Sequence, residues 1–176
     1  MMSNTPLQFR IAQLTDVPAI CALVNSAYRG DSSRAGWTTE ANLLTGVRVE
    51  APEVIDLISN PDSCILVCQQ GDQIIGSLNL QRTDEGAYFG MFAVQPTLQG
   101  GGIGKQFMAQ AERTVQERWG INRMWMTVIT TRTELISYYE RRGYSRTGRI
   151  VPFPEEVGDE FRLVKDIEML ELAKEF

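Results

Sequence analysis

Histidine is absent from the 176-residue chain. That excludes a Ser–His–Asp triad, a Cys–His pair, histidine-based zinc sites and a histidine general base, and no metal centre is expected. Chemistry is left to tyrosine, cysteine, carboxylates, lysine, arginine, hydroxyls, backbone amides or water. Cysteine is scarce as well, and Cys21, Cys64 and Cys68 form an odd set with no disulfide-like framework. On one strand, Cys64 and Cys68 would stand about 13 Å apart at ~3.3 Å per residue, beyond disulfide reach. Reduced, buried thiols are expected, which fits a cytoplasmic setting. No apolar run approaches the ~18 residues a membrane helix needs. The segment from Met1 to Ile20, interrupted by Pro6, Asp16 and Pro18, shows no signal-peptide pattern. Positive charge is in deficit: Lys and Arg number 17 against 22 Asp and Glu, a formal net charge of −5. Nucleic acid and anionic membranes are therefore not expected as partners.

A hydrophobic content of 43% over this length is enough for a sizeable core, so a single domain over residues 1–176 is expected. Gln8–Leu14 reads as a strand, with N-cap chemistry at Thr15–Asp16 opening a helix from Val17 to Tyr28. The polar run Arg29–Gly36 precedes a short helical pattern over Trp37–Gly46. Pro52 suits the first turn of a helix through Ser59, which Asn60–Pro61 ends. Cys64–Gln69 and Gln73–Gln81 flank Gly71–Asp72 as a hairpin, and Ala87–Val94 follows the turn at Asp84–Gly86. Ile103, Phe107, Met108, Ala111, Val115 and Trp119 recur at helical spacing until Gly120. Met124–Thr130 then reads as a strand, Glu134–Arg141 as a helix before Gly143, and Tyr144–Arg149 as a strand. Pro152–Gly158 reads as a loop and Phe161–Leu172 as a last strand. The chain is thus α/β around a mixed sheet.

The most informative stretch runs from Val94 through Pro96 to Gln99-Gly100-Gly101-Gly102-Ile103-Gly104-Lys105, between a strand and a helix. Successive glycines let backbone amides approach a ligand, and the helix start adds partial positive charge, so the pattern suits a phosphate or diphosphate. The alternative is a tight strand-to-helix turn with no ligand. A P-loop would need Ser or Thr after Lys105, where Gln106 stands, and a dinucleotide fingerprint begun at Gly100 would need glycine in place of Lys105.

The pattern Q-x-x-G-x-G after Val94-x-Pro96 resembles the acetyl-CoA-binding motif of the GNAT family of N-acetyltransferases. The resemblance implies a GNAT-like fold with a central, mostly antiparallel mixed sheet flanked by helices. It also implies acetyl-CoA as acyl donor. Phe92, Ala93 and Val94 would meet the pantetheine arm, and Gln99, Gly100, Gly101, Gly102, Ile103, Gly104 and Lys105 would cradle the diphosphate. The Phe92 amide would polarise the thioester carbonyl. A second stretch, Thr133 to Tyr144, resembles the family's short helix A-x-x-x-Y-x-x-x-G-F/Y. By position Tyr139 becomes the acid that protonates the departing thiolate, a transfer a phenol (~10) can make to a thiol group (~8.5). Read without the resemblance, Tyr139 is an aromatic core residue of an amphipathic helix; Tyr138 and Tyr144 read as packing. The chain departs from the pattern in carrying Arg132 where many members have asparagine. It carries Thr127 where some protein N-terminal acetyltransferases have a glutamate base.

The expected reaction is direct attack of a primary amine on acetyl-CoA in a ternary complex. Near pKa ~10.4, about one lysine-like amine in 2,500 is neutral at pH 7, so a base or an ordered water chain is useful. Without histidine the candidates are Glu40, Glu50, Asp84, Glu85, Glu155 and Glu156. The resemblance points to Tyr28, Trp37, Glu40, Phe153 and Glu155 as substrate-facing groups. The acceptor is an amine of a small molecule or peptide, and the resemblance allows a homodimer. Two other readings stay open, a non-catalytic acyl-CoA-binding module and a different phosphate-bearing ligand at the glycine loop.

Overall fold

A computed structural model describes residues 5–28, 49–95, 102–152 and 168–176. The first strand, β1 (Leu7–Ile11), stops short of the expected Leu14, because Leu14–Asp16 forms a single 3-10 turn instead. The cause is local. The Asp16 carboxylate accepts the Gln13 backbone N–H at 2.8 Å, and Arg10 grips the same carboxylate at 2.8 and 3.0 Å. Helix α1 (Val17–Tyr28) starts directly after it.

The hydrogen bond from Arg10 holds the Asp16 carboxyl below its ordinary value, against the opposing effect of burial. A lowered folded-state value contributes stability that is present above the ordinary ~3.8 and is lost as pH falls through the folded value. Asp16→Asn is therefore expected to lower urea-unfolding stability by about 1 kcal/mol at pH 7. Repeated toward pH 3, the measurement should show the gap between the two proteins closing.

Helix α2 (Ala51–Ser59) carries Pro52 in its first turn and ends at Ser59, as its sequence predicts. Its entry is tied to α1 by the Asn25 amide, which donates to the Val49 carbonyl and accepts the Val49 N–H, both at 3.0 Å. The expected helix over Trp37–Gly46 lies outside the described residues.

Strands β2 (Ser63–Gln70) and β3 (Gln73–Thr83) form the expected hairpin, with Gln70 opposite Gln73 and Gly71 at φ +61°. Strand β4 (Gly86–Val94) follows a two-residue turn, helix α3 (Ile103–Trp119) closes on Gly120, and β5 (Arg123–Ile129) comes next. Helix α4 (Thr133–Arg141), β6 (Ser145–Pro152) and β7 (Glu168–Glu175) complete the order. The last strand runs past the predicted Leu172 to Glu175, and the predicted start at Phe161 lies outside the described residues.

The seven strands form one sheet in the order β1-β2-β3-β4-β5-β7-β6, antiparallel everywhere except between β4 and β5. The reason for the exception is connectivity: α3 crosses over one face and returns the chain in the same direction. Strand β2 is apolar on both sides because both faces are covered. Ile65 and Val67 pack with Ile20, Val24 and Val54 of α1 and α2, while Cys64, Leu66 and Cys68 pack with α3 and α4. Phe107, Met108, Ala111 and Val115 are the residues α3 buries there. Burial pushes the Cys64 and Cys68 thiols up to about 11, which makes them poor nucleophiles near neutral pH.

Candidate active site

The parallel ladder between β4 and β5 is short. Only Ala87 with Met124 and Tyr88 with Trp125 are paired, after which the two strands part. Just beyond, β4 bulges: two of its residues, Met91 and Phe92, face one residue of β3 between the pairs Asn79–Gly90 and Ser77–Ala93. Met91 takes a left-handed φ of +53°, the one non-glycine residue to do so among those described. A bulge re-aims the backbone and side chains at a single point in a strand. Here it turns Met91 and Ala93 toward α1 and α2, while Phe92 packs under α3 with its ring 5.3 Å from Phe89 and 5.8 Å from Phe107.

At the far end of β4 the chain enters α3. Gly102 is its N-cap at φ +82°, with nothing within 4 Å of where a Cβ would stand. Gly102 has no side chain to cap the helix, and no acidic residue lies in its first turn. Ile103 is partly buried, and Lys105 is exposed. Gly104 answers a different need. A Cβ there would collide with the Tyr138 hydroxyl and lie 3.6 Å from the tip of the Phe92 ring. Among the expected cradle residues, Gln99, Gly100 and Gly101 lie outside the described residues. The structure brings Phe92, Ala93 and Val94 to the parting strand edge, and Gly102 to Lys105 to the helix start that follows it.

Tyr139 is 5% exposed, on the face of α4 turned to the sheet. Its ring lies 6.1 Å from Phe89, the residue immediately after the last parallel pair, and 5.5 and 6.3 Å from Tyr138 and Tyr144. It therefore stands where β4 and β5 separate. Tyr144 is fully packed, and burial, with Glu112 adding to it, raises its phenol far above the ordinary value. Tyr138 is half-buried and bridges to α3.

Asp84 and Glu85 sit in the turn that begins β4, at the opposite end from Phe92, and Glu85 lies 3.7 Å from Arg149. Glu50 is the exposed N-cap residue of α2. Tyr28 closes α1, with its side chain outside the described set; Trp37, Glu40, Phe153, Glu155 and Glu156 also fall outside it. Arg132, at the position of the family's asparagine, is the buried N-cap residue of α4.

One residue escaped the sequence reading. Glu171 of β7 is 6% exposed and directly opposite Thr127 of β5. Its carboxylate accepts the Thr147 hydroxyl at 2.7 Å and lies 4.0 Å from Arg149. Alternation in the last strand, Leu170 and Leu172 inward with Glu171 opposed, was the only available sign, and it says nothing about register.

A groove of 750 Å³ also opens on the surface, lined by Gly86, Ile121, Arg123, Glu171 and Phe176 among others. It lies at the start of β4 and β5, whereas ligand crevices in sheets with parallel strands form beyond the strands' carboxyl ends.

Among the described residues, a strand edge left without a neighbouring strand, and beyond it a helix start whose glycine N-cap offers no capping side chain, define a fold able to hold an extended ligand that carries an anion. The acetyltransferase (GNAT) family is matched over residues 23–144, more than half of the chain, and the chain belongs to that family. The solved structures that resemble it include the ribosomal-protein-S18-alanine N-acetyltransferase of Escherichia coli. That protein is 15% identical, with a TM-score of 0.69 over 97% of this chain and 94% of that one. The ribosomal-protein-alanine N-acetyltransferase of Brucella melitensis is 18% identical, with a TM-score of 0.70 over 96% and 99%. An IAA acetyltransferase from Bacillus cereus is 17% identical, with a TM-score of 0.68 over 97% and 100%. At these identities the likeness is one of fold. No curated protein matches the chain. No described helix is long and apolar enough to cross a membrane.

Proposed function

We propose that the chain transfers an acetyl group from acetyl-CoA to a primary amine of a small molecule or peptide. The observation that carries this reading is the parting of β4 from β5 after Tyr88–Trp125, with Phe92 at a bulge beyond it and Tyr139 at the split. Acetyl-CoA supplies an activated thioester, and the residues present suit it. The edge of β4 at Phe92–Val94 offers backbone groups to a pantetheine arm. The left-handed N-cap Gly102, with open space around its Cα, suits a diphosphate at the amides of α3. The Phe92 N–H is the donor for the carbonyl oxygen. The neutral amine nitrogen bonds to the acyl carbon as the C–S bond breaks, its surplus proton passes to water or a carboxylate, and the Tyr139 phenol gives its proton to the departing sulfur. The net negative charge of the chain favours a cationic acceptor.

The test incubates the protein with acetyl-CoA and a panel of polyamines, amino acids, aminoglycosides and peptides. Free CoA thiol and acetylated product are both read. Turnover with at least one amine is expected. Binding of acetyl-CoA without turnover across the panel would replace this reading with that of a binding module, and absence of CoA binding would remove the cofactor from it.

A further inference from the structure

Strand β3 carries two polar side chains that the proposed reaction does not use. Ser77 is fully buried and Asn79 is 6% exposed. Among the described residues, neither the Ser77 hydroxyl oxygen nor the Asn79 carboxamide oxygen has a hydrogen-bond partner. A buried acceptor left unpaired is costly, so its presence in the middle of a sheet calls for a reason outside packing.

The two differ in what stands beside them. Ser77 is in register with Val67 of β2 and Ala93 of β4, both members of the apolar cluster beneath α1 and α2. Asn79 is in register with Ile65 of β2 and Gly90 of β4. Gly90 brings no side chain to that position, and a Cβ there would come within 2.7 Å of the Tyr88 ring and hydroxyl. Tyr88 makes the last pair with Trp125 before β4 and β5 part, and Gly90 is the next residue of the same face. Asn79 and the Tyr88 hydroxyl thus border one glycine just past the split.

This face is the one turned away from Tyr139. Leu78 and Leu80, on either side of Asn79 along the strand, belong to the cluster that contains Phe89 and Tyr139, so alternation puts Asn79 on the other face. With the α4 phenol on one side of the split, the nucleophile of the proposed reaction comes to the acyl carbon from the other.

We propose that the Asn79 carboxamide oxygen accepts an N–H of the incoming amine and orients its nitrogen toward the acyl carbon, which makes Asn79 a specificity-determining residue for the acceptor. The proposal rests on the acetyl-CoA reading above and deepens it on the acceptor side. An uncharged oxygen binds an N–H without favouring the ammonium form as a carboxylate does, so it suits a primary amine held neutral for attack.

The test measures kcat and KM for the wild-type protein, Asn79→Leu, Asn79→Ala and Ser77→Ala with spermidine, lysine, kanamycin and alanyl-lysine as acceptors. Thermal midpoints and calorimetric CoA affinity are measured alongside. Leucine keeps the branching of asparagine without its polar atoms, and alanine gives a second variant should leucine not be accommodated. Both Asn79 variants are expected to lose about tenfold in kcat/KM for the acceptor, with CoA affinity unchanged. The thermal midpoint of Asn79→Leu should equal or exceed that of the wild-type protein, because an unpaired buried oxygen is gone. Ser77→Ala removes the other unpaired oxygen and should keep the wild-type kcat/KM. Unchanged kcat/KM in both Asn79 variants would overturn the proposal. So would an equal loss in Ser77→Ala, or weaker CoA binding with a lower thermal midpoint in both Asn79 variants, since these mark packing. A wild-type protein that turns over none of these amines would instead fail the acetyl-transfer reading, a separate result.

Discussion

Tyr139→Phe is expected to lower kcat by about 100-fold or more with a saturating amine, while CoA affinity stays close to that of the wild-type protein. The substitution keeps the ring that packs on Phe89, Tyr138 and Tyr144, so helix α4 retains its seat. Only the hydroxyl is removed. An acid that acts on the leaving sulfur is needed in the transition state and not in the ground state, so its loss appears in kcat rather than in binding. Full kcat for Tyr139→Phe across the pH range would return Tyr139 to the role its burial alone suggests, an aromatic member of the core.

The second large effect is on the join between the two parts of the sheet. Gly86→Ala is expected to destabilise the protein by about 3 kcal/mol. Gly86 sits at φ +118°, where an L residue is strained, and a Cβ there would lie 2.6 Å from the Arg123 carbonyl oxygen. That contact is with backbone, so no side chain can turn aside to relieve it. The next residue, Ala87, makes the first of only two pairs between β4 and β5. Displacing it loosens the strands that the proposed cofactor site needs held at a fixed divergence. A fall in the thermal midpoint of about 10 °C is expected. Gly120→Ala is the control: its φ is +65°, but a Cβ would meet nothing within 4 Å. Its cost should stay near 1 kcal/mol, the strain without the clash. Equal effects from the two variants would contradict the packing argument.

Local pattern made much of this legible. Helix α3 follows from apolar residues at helical spacing ended by Gly120, and the β2–β3 hairpin from Gly71–Asp72 between apolar runs. The residues of the proposed cofactor site, the glycines and Tyr139, lie in contiguous motifs and were named from them. What stayed hidden depends on contacts between distant segments. Met91 at φ +53° makes the bulge, yet nothing in Gly90-Met91-Phe92 marks a non-glycine residue for that conformation. Asp84 and Glu85 precede the cofactor strand in the chain, which placed them near the cofactor by sequence. A strand, however, puts its two ends far apart, and Phe92 and Tyr139, which the proposed site uses, are at the other end. Glu171 needed the register of β7 against β5, which turn signals do not specify. Gly104 looked like part of a ligand cradle, but its lack of a side chain is also required by the Tyr138 hydroxyl, which comes from another helix.

The missing histidine keeps its meaning. In the proposed reaction a backbone cradle and a phenol acid need no imidazole, so only removal of the amine proton would fall to a carboxylate or water.

The claim on which the rest depends is that acetyl-CoA lies along the diverging edge of β4 and ends at α3. Hydrogen–deuterium exchange of the backbone amides, followed with and without acetyl-CoA, tests it directly. Added protection at Phe92–Val94 and at Gly102–Lys105 is the predicted result. Protection confined to the groove at Gly86 and Arg123, or no change at either place, would contradict it.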